Sequence, residues 1–271
     1  MKKILIIAIN YNSYDKLDSY LESIVNSIKQ CSIESMCNVQ IVDNSTPHKN
    51  FDYYKYSINN KLSINFEQSE NLGYFGSALK QYNQFSHFVY DYVCISNVDL
   101  VVKHDFFDKL CSLTIEDNVA WIAPSIYSNY EDRDKNPQRI FRCSKNKLKL
   151  LYLLYTFPMM EVFYSKFLYP KLNKNKNTEN VYKQIYCGHG SFIILTKEFI
   201  KKNPEMHFPC FLFGEELFLG EIIRNEGLKV IYESSLKIFD DEHVSTSKLP
   251  SRNYYKYNRT SISWILRTFY K

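Results

Sequence analysis

The 271-residue chain lacks the short signatures that usually fix a protein's chemistry at a glance. Its seven cysteines (Cys31, Cys37, Cys94, Cys111, Cys143, Cys187, Cys210) include no CxxC pair, so a cysteine zinc cage and a disulfide framework are not indicated. An odd, scattered set of this kind reads as reduced thiols, the state kept in the cytoplasm. There is no Gly-Lys-Ser/Thr phosphate loop and no GxGxxG, which removes the P-loop and dinucleotide fingerprints. No apolar run is long enough to span a bilayer; Leu150–Met160 is short and broken by Pro158. No internal repeat is present. The opening MKKILIIAIN imitates the basic and apolar parts of a signal peptide, but its apolar core is short and no small-residue cleavage site follows. It reads as a first strand in a cytoplasmic chain, where the sequons at Asn44 and Asn258 carry little meaning.

Charge is present but uneven. The net charge is +5, yet the segment from Arg142 to Lys176 holds eight Lys/Arg against the single acid Glu161. The rest of the chain is therefore slightly acidic, which suits a local partner surface better than a general nucleic-acid coat. Aromatics are abundant, with 23 Tyr and 19 Phe, several beside Lys or Arg. A Lys-flanked aromatic segment can lie on a membrane surface or pack as a helix with a solvated basic edge. Peripheral contact with the inner face of the cell membrane is the expectation drawn from it.

Hydrophobic patterning predicts an α/β domain. Lys3–Ile9 is a continuous β-branched run, as expected of a buried parallel strand. Asp15–Gln30 has apolar residues at helical spacing. Strands are predicted at Val39–Ser45, Leu62–Phe66, Tyr92–Ser96, Val119–Pro124, Gly190–Thr196, Leu228–Tyr232 and Leu236–Phe239. Helices are predicted at Tyr74–His87, Asp105–Leu113, Lys197–Lys202 and Glu215–Asn225, the last stopped by Gly227. Alternation of this kind implies a mostly parallel sheet with helices on both faces. Ligands then bind beyond the carboxyl ends of the strands, where Asn10–Asn12, Asp43–Ser45 and Asn97–Asp99 fall. The pattern breaks between about 125 and 186, and the tail Tyr254–Lys271 alternates aromatic with basic residues.

Three features carry chemistry. Asn97-Val98-Asp99 at a strand end can place an oxygen ligand on a divalent cation facing a diphosphate, although Asn-x-Asp is also an ordinary turn. Glu215-Glu216 at a helix start suits the helix dipole, and one of the two can serve as a general base. Adjacent helical residues point about 100° apart, so the two cannot share one role. Asn71-Leu72-Gly73-Tyr74-Phe75-Gly76 sets two glycines about a helix start, where backbone amides can approach phosphate or sugar oxygens. Gly188-His189-Gly190 reads as a tight turn.

Taken in order, IVDNS, NLGYFGSALKQYN, SNVDL, GHGSFIILTKEFI, FLFGEELFLGEIIRNEGLKVIYE and HVSTS resemble the bacterial family 2 glycosyltransferases of GT-A fold. The likeness is greatest to rhamnosyl- and galactofuranosyl-transferase-like members of polysaccharide assembly. It covers Lys3 to about Ser247 and omits the 125–186 insertion and the 248–271 tail. The resemblance implies one GT-A domain, with a nucleotide-sugar-binding half over 1–100 and an acceptor and catalytic half over 101–247. It implies that Asn10, Tyr11 and Asn12 line the nucleotide base, and that Asp43, with Asn44 and Ser45, contacts base or ribose. Asn71, Gly73 and Gly76 would lie near the ribose and donor sugar. Asn97 and Asp99 would stand in the DxD position, Asp99 and His243 would hold Mn²⁺ or Mg²⁺, and Glu216, beside Glu215, would be the base of an inverting transfer. The implied donor is a nucleotide-diphospho-sugar, UDP or dTDP in preference to GDP, and the acceptor a glycan or lipid-linked saccharide.

Two positions depart from the family pattern. Asn97 replaces the first DxD acid and offers only a neutral oxygen. Glu-Glu replaces the usual Glu-Asp, which moves the base one methylene farther from its backbone. These departures motivate a rival expectation, a non-catalytic subunit that binds nucleotide sugar or glycan within a larger assembly. A nucleotidyltransferase is disfavoured, because NYNSYD after the first strand has no Gly-rich, Arg/Lys-containing signature.

Overall fold

The computed structural model describes all residues except 59, 86–89, 158, 160–182 and 241–250. Ten strands form one sheet: β1 Lys2–Asn10, β2 Ser35–Asp43, β3 Leu62–Gln68, β4 Tyr92–Asn97, β5 Leu100–Val102, β6 Val119–Ser128, β7 Arg133–Asp134, β8 Gln184–Ile185, β9 Phe192–Thr196 and β10 Lys229–Asp240. Their order is β3-β2-β1-β4-β9-β6-β10-β5, with β7 on β6 and β8 on β10. Pairings from β3 through β4, and between β6 and β10, are parallel, whereas β9 enters antiparallel between β4 and β6. The helices are α1 Tyr14–Gln30, α2 Tyr74–Phe85, α3 Phe106–Ser112, α4 Lys145–Thr156, α5 Lys197–Lys202, α6 Glu215–Asn225 and α7 Ser251–Phe269.

Strand β1 shows how the sequence divides the core. Its side chains alternate, so Leu5, Ile7 and Ile9 face a cluster shared with α2, α5, α6 and α7. Ile4, Ile6 and Ala8 face a second cluster with α1 and α3. Both faces are covered, which is why the strand is apolar throughout; each fully buried Ile or Leu contributes about 1.5–3 kcal/mol. Helix α1 buries Leu17, Tyr20, Leu21, Ile24, Val25 and Ile28 on one stripe. Two serines on that helix do more than fill space. Ser23 Oγ accepts from the Val102 amide at 3.0 Å, and Ser27 Oγ from the Phe107 amide at 3.1 Å. They fasten β5 and α3, and so the loop carrying Asp99, to the helix that follows Asn10–Asn12.

Three expectations change. The two short strands expected at Leu228–Tyr232 and Leu236–Phe239 are one strand, β10, whose register on β6 slips between Glu233 and Lys237. The polar triplet Glu233-Ser234-Ser235 that separated them is a bulge in which Glu233 Oε1 accepts from the Ser235 amide and hydroxyl. Strand β6 runs on to Ser128, inside the region where the pattern was expected to break. The basic aromatic tail is largely helix α7, which buries Ser261, Ile262 and Ile265 against the core and lies beside α4. Among the described residues no helix is long and apolar enough to cross a membrane.

Candidate active site

The carboxyl ends of β1, β2 and β4 bring the predicted residues to one edge of the sheet. The Asp43 carboxylate is fully buried and accepts from Asn10 Nδ2 (2.9 Å), the Ser45 amide (3.2 Å) and hydroxyl (2.6 Å), and Tyr14 OH (2.5 Å). His48 Nδ1 lies 3.3 Å from its second oxygen. Asp43 therefore spends its lone pairs on protein donors and acts as the hub that orders this loop. Ser45 Oγ passes the order on by accepting from the Asn12 amide at 2.7 Å, while Asn12 itself sits at φ 55. Tyr11 and Asn12 are exposed above this buried hub, with Tyr11 at 50%.

The glycine loop attaches next. Asn44 donates to the Gly73 carbonyl (3.4 Å) and accepts from Ser77 Oγ (3.0 Å), and the Asn71 side chain accepts from the Gly73 amide (2.9 Å). Gly73 has φ +80, and a Cβ there would lie 1.7 Å from the Phe211 carbonyl oxygen. Only glycine permits that approach, which ties this loop to the segment leading into α6. Gly76 has no such neighbour; a Cβ there would meet only Leu72 Cβ, at 3.4 Å.

Helix α6 begins from an unusual backbone. Phe213 and Gly214 both have positive φ, 67 and 91, which is rare for a bulky residue such as phenylalanine. A Cβ on Gly214 would meet Ser261 Oγ of α7 at 2.5 Å, and Phe213 packs edge-on against Tyr254 of the same helix. The turn aims both glutamates at Gly190 despite their angular separation on the helix. A Cβ on Gly190 would come within 2.9 Å of Glu215 Oε1 and 3.0 Å of Glu216 Oε1. The Gly190 amide donates to Glu216 Oε1 at 3.3 Å, and Tyr74 OH donates to the Gly190 carbonyl at 2.7 Å. Glu215 keeps some exposure along its length, but its carboxyl is enclosed. Desolvation first, and the neighbouring Glu216 charge second, push its pKa well above the ordinary range.

A second acidic cluster lies around Asp99. Asp99 follows β4, and its pKa is pushed up to about 6, by burial first and by the charge of Asp240 second. Asp240 ends β10 in antiparallel register with Leu100. Lys135 Nζ donates to Asp240 Oδ2 at 2.5 Å, with both side chains 8% exposed. His189 sits close by: its amide donates to Asn136 Oδ1 (2.7 Å), and its Nδ1 accepts from the Ser191 amide (3.2 Å). That places the ring proton on Nε2, and burial lowers the imidazole's pKa. Carboxylate and amide oxygens such as those of Asp99, Asp240 and Asn97 are the ligand type a hard divalent cation takes. Among the described residues no three His, Cys, Asp or Glu side chains form a metal-binding group. His243, expected as a ligand, lies outside the described residues.

Tyr74, Lys135, Asn136, His189 and Asp240 were not singled out from the sequence as site residues. Asp240 carried a usable signal, an acid ending an apolar strand, the same one that marked Asp43 and Asp99. Lys135 and Asn136 carried none, because they come from a hairpin inside the segment that appears irregular.

No protein-family model matches the chain, and no curated protein does. Solved structures do. GalNAc-T7 with UDP, GalNAc and Mn²⁺ superposes over 99% of this chain at TM-score 0.60 and 10% identity, using 49% of its own length. TarS 1–349 from S. aureus in complex with UDP-GlcNAc covers 99% at TM-score 0.57 and 13% identity, using 67% of its length. The mannosyltransferase PcManGT from Pyrobaculum calidifontis, in complex with GDP-Man and Mn²⁺, covers 90% at TM-score 0.50 and 10% identity, using 58% of its length. The fold is the GT-A glycosyltransferase fold. Within it, the chain spans about half the length of GalNAc-T7 and somewhat more of the mannosyltransferase.

Proposed function

We propose that the protein is an inverting glycosyltransferase that moves a sugar from a nucleotide-diphospho-sugar to a hydroxyl of a glycan or lipid-linked acceptor in bacterial surface polysaccharide assembly. The observation that carries this reading is the convergence of Glu215 and Glu216 on Gly190, at the sheet edge where the Asn10–Asp43–Ser45 hub and the Gly73 loop meet. The GT-A neighbours bound to UDP, UDP-GlcNAc and GDP-Man support a nucleotide-linked donor. UDP or dTDP is the donor class preferred, bound over residues 1–100 by Tyr11, Asn12, Asn71, Gly73 and Gly76. Residues 101–247 would form the acceptor and catalytic half.

Burial and the neighbouring Glu216 charge favour the protonated form of Glu215, which makes Glu216 the base of the pair. That residue takes the proton of the acceptor hydroxyl while its oxygen attacks the anomeric carbon. The bond from that carbon to the diphosphate oxygen breaks, inverting the centre, and the nucleoside diphosphate leaves with the bonding electrons. Asp99 with His243 would hold Mn²⁺ or Mg²⁺, which when bound neutralises the departing diphosphate. The acceptor side is supported by a cavity of about 770 Å³ between α4 and α7, lined in part by Tyr155, Arg252, Lys256 and Arg259. Its cationic rim suits a lipid-linked, anionic acceptor and peripheral membrane contact; Leu150, Leu153, Phe157 and Tyr254 are exposed nearby.

Thermal stabilisation by UDP, dTDP, GDP and CMP, each with and without Mn²⁺, tests the donor site. A ligand at about 100 times its Kd adds roughly 2.7 kcal/mol. Glu216→Gln is expected to keep nucleotide binding and reduce turnover by roughly 10²–10⁴-fold. Turnover near wild type would remove Glu216 from the base position. Donor binding with neither transfer nor donor hydrolysis would favour the non-catalytic subunit.

A further inference from the structure

The Lys135–Asp240 pair is needed neither for the nucleotide loop nor for proton transfer by Glu216, and it is chemically unfinished. Lys135 Nζ occupies Asp240 Oδ2 at 2.5 Å. Asp240 Oδ1 is buried and meets no hydrogen-bond donor among the described residues. A purely structural ion pair is expected to satisfy both carboxylate oxygens, because a bare one has lost its water without replacement. Asp240 is paired across the sheet with Leu100, the residue after Asp99.

We propose that Asp240 is a second carboxylate ligand for the divalent cation, entering from β10 to replace the carboxylate that Asn97 lacks. Cations that bridge a diphosphate are held by one or two protein carboxylates, with phosphate and water oxygens completing the shell. Asp99 alone is the minimum of that range, and Asp240 brings the site to two. Lys135 fixes which oxygen is offered, since it engages Oδ2 and leaves Oδ1. The diphosphate part of this account rests on the nucleotide-sugar reading above; the cation site does not.

Mn²⁺ binding to the full chain, followed by loss of the free-ion EPR signal without nucleotide, tests the assignment. Wild type is expected to bind Mn²⁺, and Asp240→Asn to bind it at least tenfold more weakly with an unchanged circular dichroism spectrum. Adding Asn97→Asp to Asp240→Asn is expected to recover most of the affinity by returning a carboxylate from the other strand. If the unpaired lysine prevents Asp240→Asn from folding, Lys135→Met/Asp240→Asn removes both charges and is measured in its place. Equal Mn²⁺ affinity in wild type and in the variant lacking Asp240 overturns the proposal, as does the absence of Mn²⁺ binding to wild type at millimolar concentration. In either case UDP or dTDP binding without metal would leave the sugar-transfer reading standing. That reading fails separately, if no nucleoside diphosphate binds at all.

Discussion

Glu221 and Asp240 are both buried acids facing a single basic side chain, but only Glu221 is completed by protein. Its Oε1 accepts from Arg142 Nε and from Tyr186 OH, both at 2.7 Å, and its Oε2 accepts from Arg142 at 3.0 Å. The Arg142 guanidinium also lies 3.9 Å from the centre of the Tyr270 ring. This fork pins α6 to the start of the basic segment and to the chain end. Among the described residues, Asp240 has one oxygen engaged by Lys135 and one left bare. A closed pair of this kind fixes an element in place; an open one is shaped for something that arrives later.

The contrast can be broken from either side. Arg142→Met leaves a buried carboxylate unpaired and should cost about 3–5 kcal/mol in a denaturant titration, with no recovery when Mn²⁺ is added. Lys135→Met should cost a comparable or smaller amount, but Mn²⁺ should restore part of it, because a cation can take the place of the ammonium. Recovery by Mn²⁺ in both variants, or in neither, would erase the distinction.

A pH series sharpens the same point at the Asp99 carboxyl. Its folded pKa of about 6 is above the unfolded value of 3.8, so the folded state keeps a proton that the unfolded state has released. Stability should therefore fall as pH rises from about 4 to about 6, by roughly 2 kcal/mol, and Asp99→Asn should flatten that part of the profile. Glu215, shifted in the same direction, continues the fall at higher pH. The smallest effect is expected at Gly190→Ala. The added methyl displaces flexible carboxylate ends, not backbone, so turnover should drop about tenfold (~1.4 kcal/mol) with little change in Tm.

Much of the candidate edge was legible because strand ends follow directly from hydrophobic runs. Asn10, Asp43 and Asn97 each close such a run, and a parallel sheet collects those ends. Glu215-Glu216 was legible as a helix start, since the periodic residues begin at Leu217. What the sequence could not show was that these glutamates meet Gly190, because a left-handed turn at Phe213–Gly214 redirects them. Nor could it show Lys135 beside Asp240, which depends on a hairpin 105 residues away in the chain. Asp240 directly follows the expected strand Leu236–Phe239, so its place at a strand end was legible while its lysine partner was not.

The antiparallel strand β9 has a consequence for how the molecule moves and how it can be rebuilt. It belongs to the second half of the chain yet is hydrogen-bonded along β4, which belongs to the first. Two halves of the chain sharing one sheet cannot open like a clamshell, so the sheet forms a common floor beneath the site. A chimera joining the first hundred residues to another transferase would have to import a strand that fits β4, or leave that edge unpaired.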